Sequence, residues 1–179
     1  MSCCMLAPML ALLSIAPLQS ATSNTSDLVV IDGKKNPSQI PEWVTWEHAF
    51  LTVAGWRGKD SGITHDLRTM MTKEEFEALE GEAVRQSERM HHAAQEAAPL
   101  RERYASRDPK DTKLLALLND QMQDVNLRYR RATLEARNRL LERLSPASQS
   151  VLASWIGDIR AGIVSKVAKG DLERWRAPE

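Results

Sequence analysis

Two groups of residues have types and spacings that could do chemistry. Leu127, Leu134 and Leu141 recur every seven residues, and Arg130, Arg131 and Arg137 follow them at three or four positions. On a helix this makes an apolar line edged by guanidiniums. Such a surface suits segments that are both apolar and acidic, such as unfolded chains. The competing expectation is that a neighbouring helix packs on the line, because a helical domain needs a second seam. The other group is Glu88-Arg89-Met90-His91-His92. Glu-x-x-His is the ligand unit of di-iron bundles, and imidazoles take zinc or copper. Register opposes a buried centre: Phe76, Ala83 and Met90 share one core position, so Glu88, His91 and His92 face outward, and no second such unit exists. What remains is a surface zinc or copper site at His91 and His92, or two solvated histidines. There is no nucleophile elbow, phosphate loop, dinucleotide fingerprint or His-Glu-x-x-His, so no catalytic residues are named and no enzyme is expected.

The elements that would position these residues are helices. Phe76, Leu79, Ala83, Gln86, Met90, Ala93, Ala97, Leu100 and Tyr104 lie three and four residues apart. After Arg107-Asp108-Pro109-Lys110, the residues Leu115, Leu118, Met122, Val125, Tyr129, Ala132 and Ala136 repeat the pattern. Spacing of this kind keeps one helix face against a partner over many turns. It predicts a long antiparallel, coiled-coil-like hairpin, kinked at Pro99 where a backbone hydrogen bond is lost. Gln86 in the seam either sets register or sits near a wetter end. Glutamates at 74, 75, 77, 80 and 82 are expected to face the late arginines across the seam.

Thr72-Lys73-Glu74-Glu75 is a capping box opening the second helix. A first helix is expected from about Ser38, striped by Trp43, Trp46, Phe50 and Val53 and broken at Gly55, Gly58 and Gly62. Ser145-Pro146 opens a fourth, striped by Leu152, Trp155, Ile159, Ile163 and Val167 and stopped by Gly170. Trp43, Trp46, Trp56 and Trp155 should anchor the first helix to the fourth. The fold class is therefore all-α: a long kinked antiparallel hairpin with two flanking helices, a single domain over 38–169. Residues 24–37 read as a flexible or strand-like arm ending in a turn, with one short β-branched run at Leu28–Ile31 that by itself does not make a sheet. The tail 170–179 either docks through Leu172 and Trp175 or frays.

In a chain of 179 residues, 24 Lys and Arg balance 24 Asp and Glu, so net charge points to no nucleic-acid partner. Residues 5–18 are almost wholly apolar and a small-residue stretch follows, the pattern of a signal peptide over 1–23 cleaved before Asn24. Export then leaves no stable membrane insertion. Both cysteines, Cys3 and Cys4, lie in that leader, which excludes a disulfide framework or thiolate chemistry from the mature chain.

Met71-Thr72-Lys73-Glu74-Glu75 and Leu144-Ser145-Pro146-Ala147-Ser148, flanking a helical hairpin, resemble the twin LTxxQ motifs of the Spy/CpxP-like periplasmic proteins. The resemblance covers roughly residues 64–163. Glu75 and Ser148 stand where the family has glutamine, with Gln149 one place late, and Met71 replaces leucine. It implies an exported ATP-independent chaperone or envelope-stress accessory, often dimeric, sometimes binding zinc or copper. The client surface would be Arg130, Arg131, Arg137 and the Leu127, Leu134, Leu141 line. The sequence thus leads to a periplasmic protein that binds unfolded or partner proteins. The alternatives are a metal-binding sensor or buffer using His91 and His92, and a purely structural helical homodimer.

Overall fold

The structure, a computed structural model, describes residues 28–56, 62–108 and 110–177, without the side chains at 56, 63 and 64. The expected leader, the Asn24 cleavage point and the packing of Trp56 lie outside what is described. The fold is all-α with a small sheet: β1 (Leu28–Asp32), α1 (Glu42–Trp56), α2 (Gly62–Met70), α3 (Lys73–Ser106), α4 (Thr112–Leu141), α5 (Pro146–Gly162), β2 (Val164–Ala168) and α6 (Leu172–Arg176). Short 3-10 turns at Pro37–Gln39 and Lys169–Asp171 precede α1 and α6.

The hairpin forms as its spacing predicts. Phe76, Leu79, Ala83, Gln86, Ala93, Ala97 and Tyr104 of α3 are buried, as are Leu118, Met122, Val125, Tyr129 and Ala136 of α4. Thr72 and Glu75 complete the capping box at the start of α3. Asp111 caps α4 by accepting the Leu114 amide at 3.0 Å. The 34 residues of α3 continue through Pro99 as one helix. Pro99 and Gln95, whose carbonyl the proline leaves unpaired, are both exposed, so water can take that bond.

Three expectations are corrected. Helix α1 begins at Glu42, because Pro37–Gln39 forms a separate 3-10 turn. The glycine-bounded stretch after α1 contains α2, which buries Leu67 against the core. The expected fourth helix stops at Gly162, and Val164–Ala168 pairs antiparallel with Leu28–Asp32, with Val30 opposite Lys166. The arm is thus partly a strand. Ile163, Val164 and Val167 are β-branched and follow a glycine, and Leu28–Ile31 supplies a partner that local spacing could not reveal. Ile31 and Val167 turn inward, and Gly33 closes the ribbon against the end of α5. A Cβ at Gly33 would stand 1.9 Å from the Arg160 carbonyl oxygen, so no other residue fits there.

The apolar interior has three parts. The first joins α1, α2, α3, α4 and α5 through Phe50, Val53, Leu79, Leu140 and Leu152. A second joins β1, β2, α1 and the C-terminal segment around Trp43 and Ile163. The third comprises Ala93, Ala97, Met122, Val125 and Tyr129, all from the hairpin. No helix among the described residues is long and apolar enough to cross a membrane.

Candidate functional site

The Leu127–Leu134–Leu141 face of α4 is not an open surface. Leu134 packs against the apolar cluster that contains Trp43, Val44 and Val167, and Leu141 packs against the main core. Leu127 is half-buried. The Arg130 guanidinium lies 4.3 Å from the ring centroid of Trp43 and is only 9% exposed. Its Nη1 donates to the Ala177 carbonyl at 2.8 Å and also to that of Arg174. These carbonyls belong to the last turn of α6, where helix geometry leaves acceptors without partners, so Arg130 acts as its cap. Arg137 pairs with Glu42 of α1 and donates to Asn138 Oδ1. Arg131 alone of the three arginines is exposed. Within the expected client surface, Arg130, Leu134 and Arg137 are thus engaged by α1 and the C-terminal side of the fold, because α4 must bury a second side once α3 takes the first, while Arg131 stays exposed. Beyond Leu134 and Arg137 the face continues into an open cleft of about 380 Å³, also lined by Ser38, Ile40, Glu42 and Arg160.

Behind Trp43 and Arg130 lies a buried polar cluster. Glu47 is 6% exposed, and burial pushes its carboxyl up to about 7 against the pull of Tyr129 and Arg130. Its Oε1 and the Tyr129 hydroxyl are buried without a hydrogen bond of ordinary geometry. Burial, then the nearby Glu47, raises the Tyr129 phenol. Burial likewise lowers Arg130 to about 10, and the Glu47 charge opposes that shift. Below them the fully buried Gln86 donates to Thr133 Oγ1, which donates to the Tyr129 carbonyl at 3.1 Å. Gln86 therefore joins the two hairpin helices from inside the seam. Glu47 was missed from sequence, although its place between Trp43 and Phe50, four and three residues away, put it within the apolar stripe.

Glu75 stands at the other end of the hairpin. Its carboxylate accepts the Ser145 amide at 2.6 Å, the Ser148 hydroxyl at 2.7 Å and the Thr72 amide at 3.1 Å. One side chain thus ties the first turn of α3 to that of α5. The Ser145 amide, followed by the Ser148 hydroxyl, holds the carboxyl down to about 2. Glu82, also buried, pairs with Arg85 at 2.8 Å and with Arg139 across the seam at 3.6 Å. Of the early glutamates, Glu80 instead meets Arg68 of α2 at 3.5 Å.

His91 and His92 are exposed, as their register predicts, and His91 Nε2 lies 3.0 Å from Gln95 Nε2. Among the described residues no three His, Cys, Asp or Glu side chains are gathered for a metal. The structure therefore brings no third such ligand to the histidine pair.

Past Gln86 and Tyr129 the hairpin is an arm of two helices. Beyond this point run about 20 residues of α3 and 17 of α4, roughly 25–30 Å of helix. Among the described residues its apolar cluster comes from α3 and α4 alone, with Met90 and Leu100 partly covered. Leu117 is 50% exposed, and Leu114 and Leu115 beside it are incompletely covered. Arg128 bridges the helices by pairing with Glu96, and it also pairs with Asp124 of its own helix at 3.0 Å. The chain matches no family model, no curated protein and no solved structure.

Proposed function

We propose that this protein works by binding other proteins, with the distal hairpin arm as its docking element. The observation that supports the reading is the partly covered leucine group at Leu114, Leu115 and Leu117, carried on a projecting pair of helices. An arm with a single internal seam leaves the outer faces of both helices available, and an exposed leucine there can bury against a partner. The two long helices hold the arm extended, so a partner meets a preformed surface and little ordering cost is incurred. In its finer form the proposal is an exported, ATP-independent chaperone-like or envelope-stress accessory protein. The paired helix starts at Met71–Glu75 and Leu144–Ser148, which resemble the LTxxQ motifs, support that form.

The test is suppression of aggregation of a chemically unfolded client by the full chain without ATP, compared with Leu117→Glu. The substitution lies at an exposed position and should alter stability by no more than about 0.5 kcal/mol. Protection by the parent chain and its loss in Leu117→Glu is the expected result. A folded parent that gives no protection rules out the chaperone form, and equal protection by both chains rules out the leucine group.

A further inference from the structure

The C-terminal segment is held through its backbone and by two partly buried side chains. No residue of α6 is fully buried; Leu172 and Trp175 pack at the margin of the cluster around Trp43. Three side-chain hydrogen bonds grip its backbone. Trp43 Nε1 donates to the Trp175 carbonyl at 3.2 Å, and Arg130 donates to those of Arg174 and Ala177. All three acceptors are main-chain carbonyls, which any sequence able to form one helical turn would present. Side-chain selection rests on two anchors three residues apart, Leu172 and Trp175, which share a face of that turn.

The segment is held by a tryptophan and a desolvated arginine, residue types that resemble the centre of a protein interface more than a surface, and Leu134 packs on the same apolar cluster as its two anchors. The segment joins the sheet through the short turn Lys169–Asp171, which contains Gly170. Beside it the face continues into the open cleft at Leu134 and Arg137.

We propose that the Trp43–Arg130–Leu134 platform is a peptide-docking site, occupied in cis by residues 172–177. It takes protein segments that present one helical turn with an aliphatic and an aromatic anchor three residues apart. An incoming segment replaces the chain's own turn, takes its carbonyl bonds from Trp43 and Arg130, and seats its anchors where Leu172 and Trp175 sit. The covering of this face is then a competition between cis and trans occupants. The site is distinct from the hairpin arm, and either can fail without the other.

The experiment uses a labelled synthetic peptide with the sequence of residues 170–179 and the full chain. In the parent, the tethered segment competes at high local concentration. The double variant Leu172→Ala with Trp175→Ala weakens that competitor and should bind the peptide about tenfold or more tightly than the parent. Adding Arg130→Met to it should remove the gain, and a peptide with alanine at both anchors should not bind. Failure of the helical double variant to bind the peptide, or indifference to the anchors, would overturn the proposal. Should the double variant not fold, hydrogen exchange on the parent decides. Faster exchange of the 172–177 amides under excess peptide is expected, and unchanged exchange overturns the idea.

Discussion

The two ends of the hairpin are built from the same heptad spacing and have different physical characters. At the base, α1, α2 and α5 surround α3 and α4, and Phe50, Leu79, Leu140 and Leu152 are fully covered. Polar side chains there are buried and mostly engaged: Glu75 across to α5, Glu82 to Arg85 and Arg139, Gln86 to Thr133. In the arm the same spacing yields one seam, small residues at Ala93 and Ala97, and ion pairs such as Arg128 with Asp124 at the surface. Spacing decides that two helices meet. The number of further helices that cover them decides how much stability each position carries.

The largest effect should come from removing volume at the base. Phe50→Ala is expected to cost about 3–5 kcal/mol, and Met122→Ala in the arm about 2 kcal/mol, near the low end for such truncations because the arm can relax. Urea unfolding of both variants checks the contrast. Equal losses would mean that arm and base form one packing unit.

Glu47 should give the next effect, and it depends on pH. Its folded carboxyl is raised from 4.5 to about 7, so the folded state holds a proton that the unfolded chain has released. Its favourable contribution is complete below pH 4.5 and is lost as pH rises through 7, on the order of 3 kcal/mol. Glu47→Gln should flatten that part of the stability curve. An unchanged slope in the variant would show that another group carries it.

Glu75 tilts the curve the other way. Its carboxyl is lowered from 4.5 to about 2, so its contribution is present above pH 4.5 and is lost as pH falls through 2. Glu75→Ala should lower the melting temperature at neutral pH and reduce the difference between pH 5 and pH 2. Thermal melts of both chains at the two pH values test this. An identical difference would remove Glu75 as the tie between α3 and α5.

Much of this was legible because it is local. Heptad spacing named nearly every seam residue, and the caps at Thr72 and Ser145 mark helix starts through bonds spanning three positions. The outward face of His91 and His92 also followed from register. The sheet did not, because Ile163 and Val167 also fit a helical stripe and the competing partner lies at Leu28–Asp32, over 130 residues away. The leucine–arginine line follows from seven-residue spacing, while the covering of Arg130 by the tail depends on contacts such as Arg130 to Ala177, 47 residues apart.

By itself, then, the sequence determined the hairpin, its seam and its helix starts, since each depends on side chains within a few turns of one another. Only the tertiary structure decided that Gln86 would be buried, that Glu47 would sit beside Tyr129 and Arg130, and that α6 would lie over Trp43. Those outcomes depend on which surfaces distant segments cover, and burial is what changes the energetics of a carboxylate, a guanidinium or an amide.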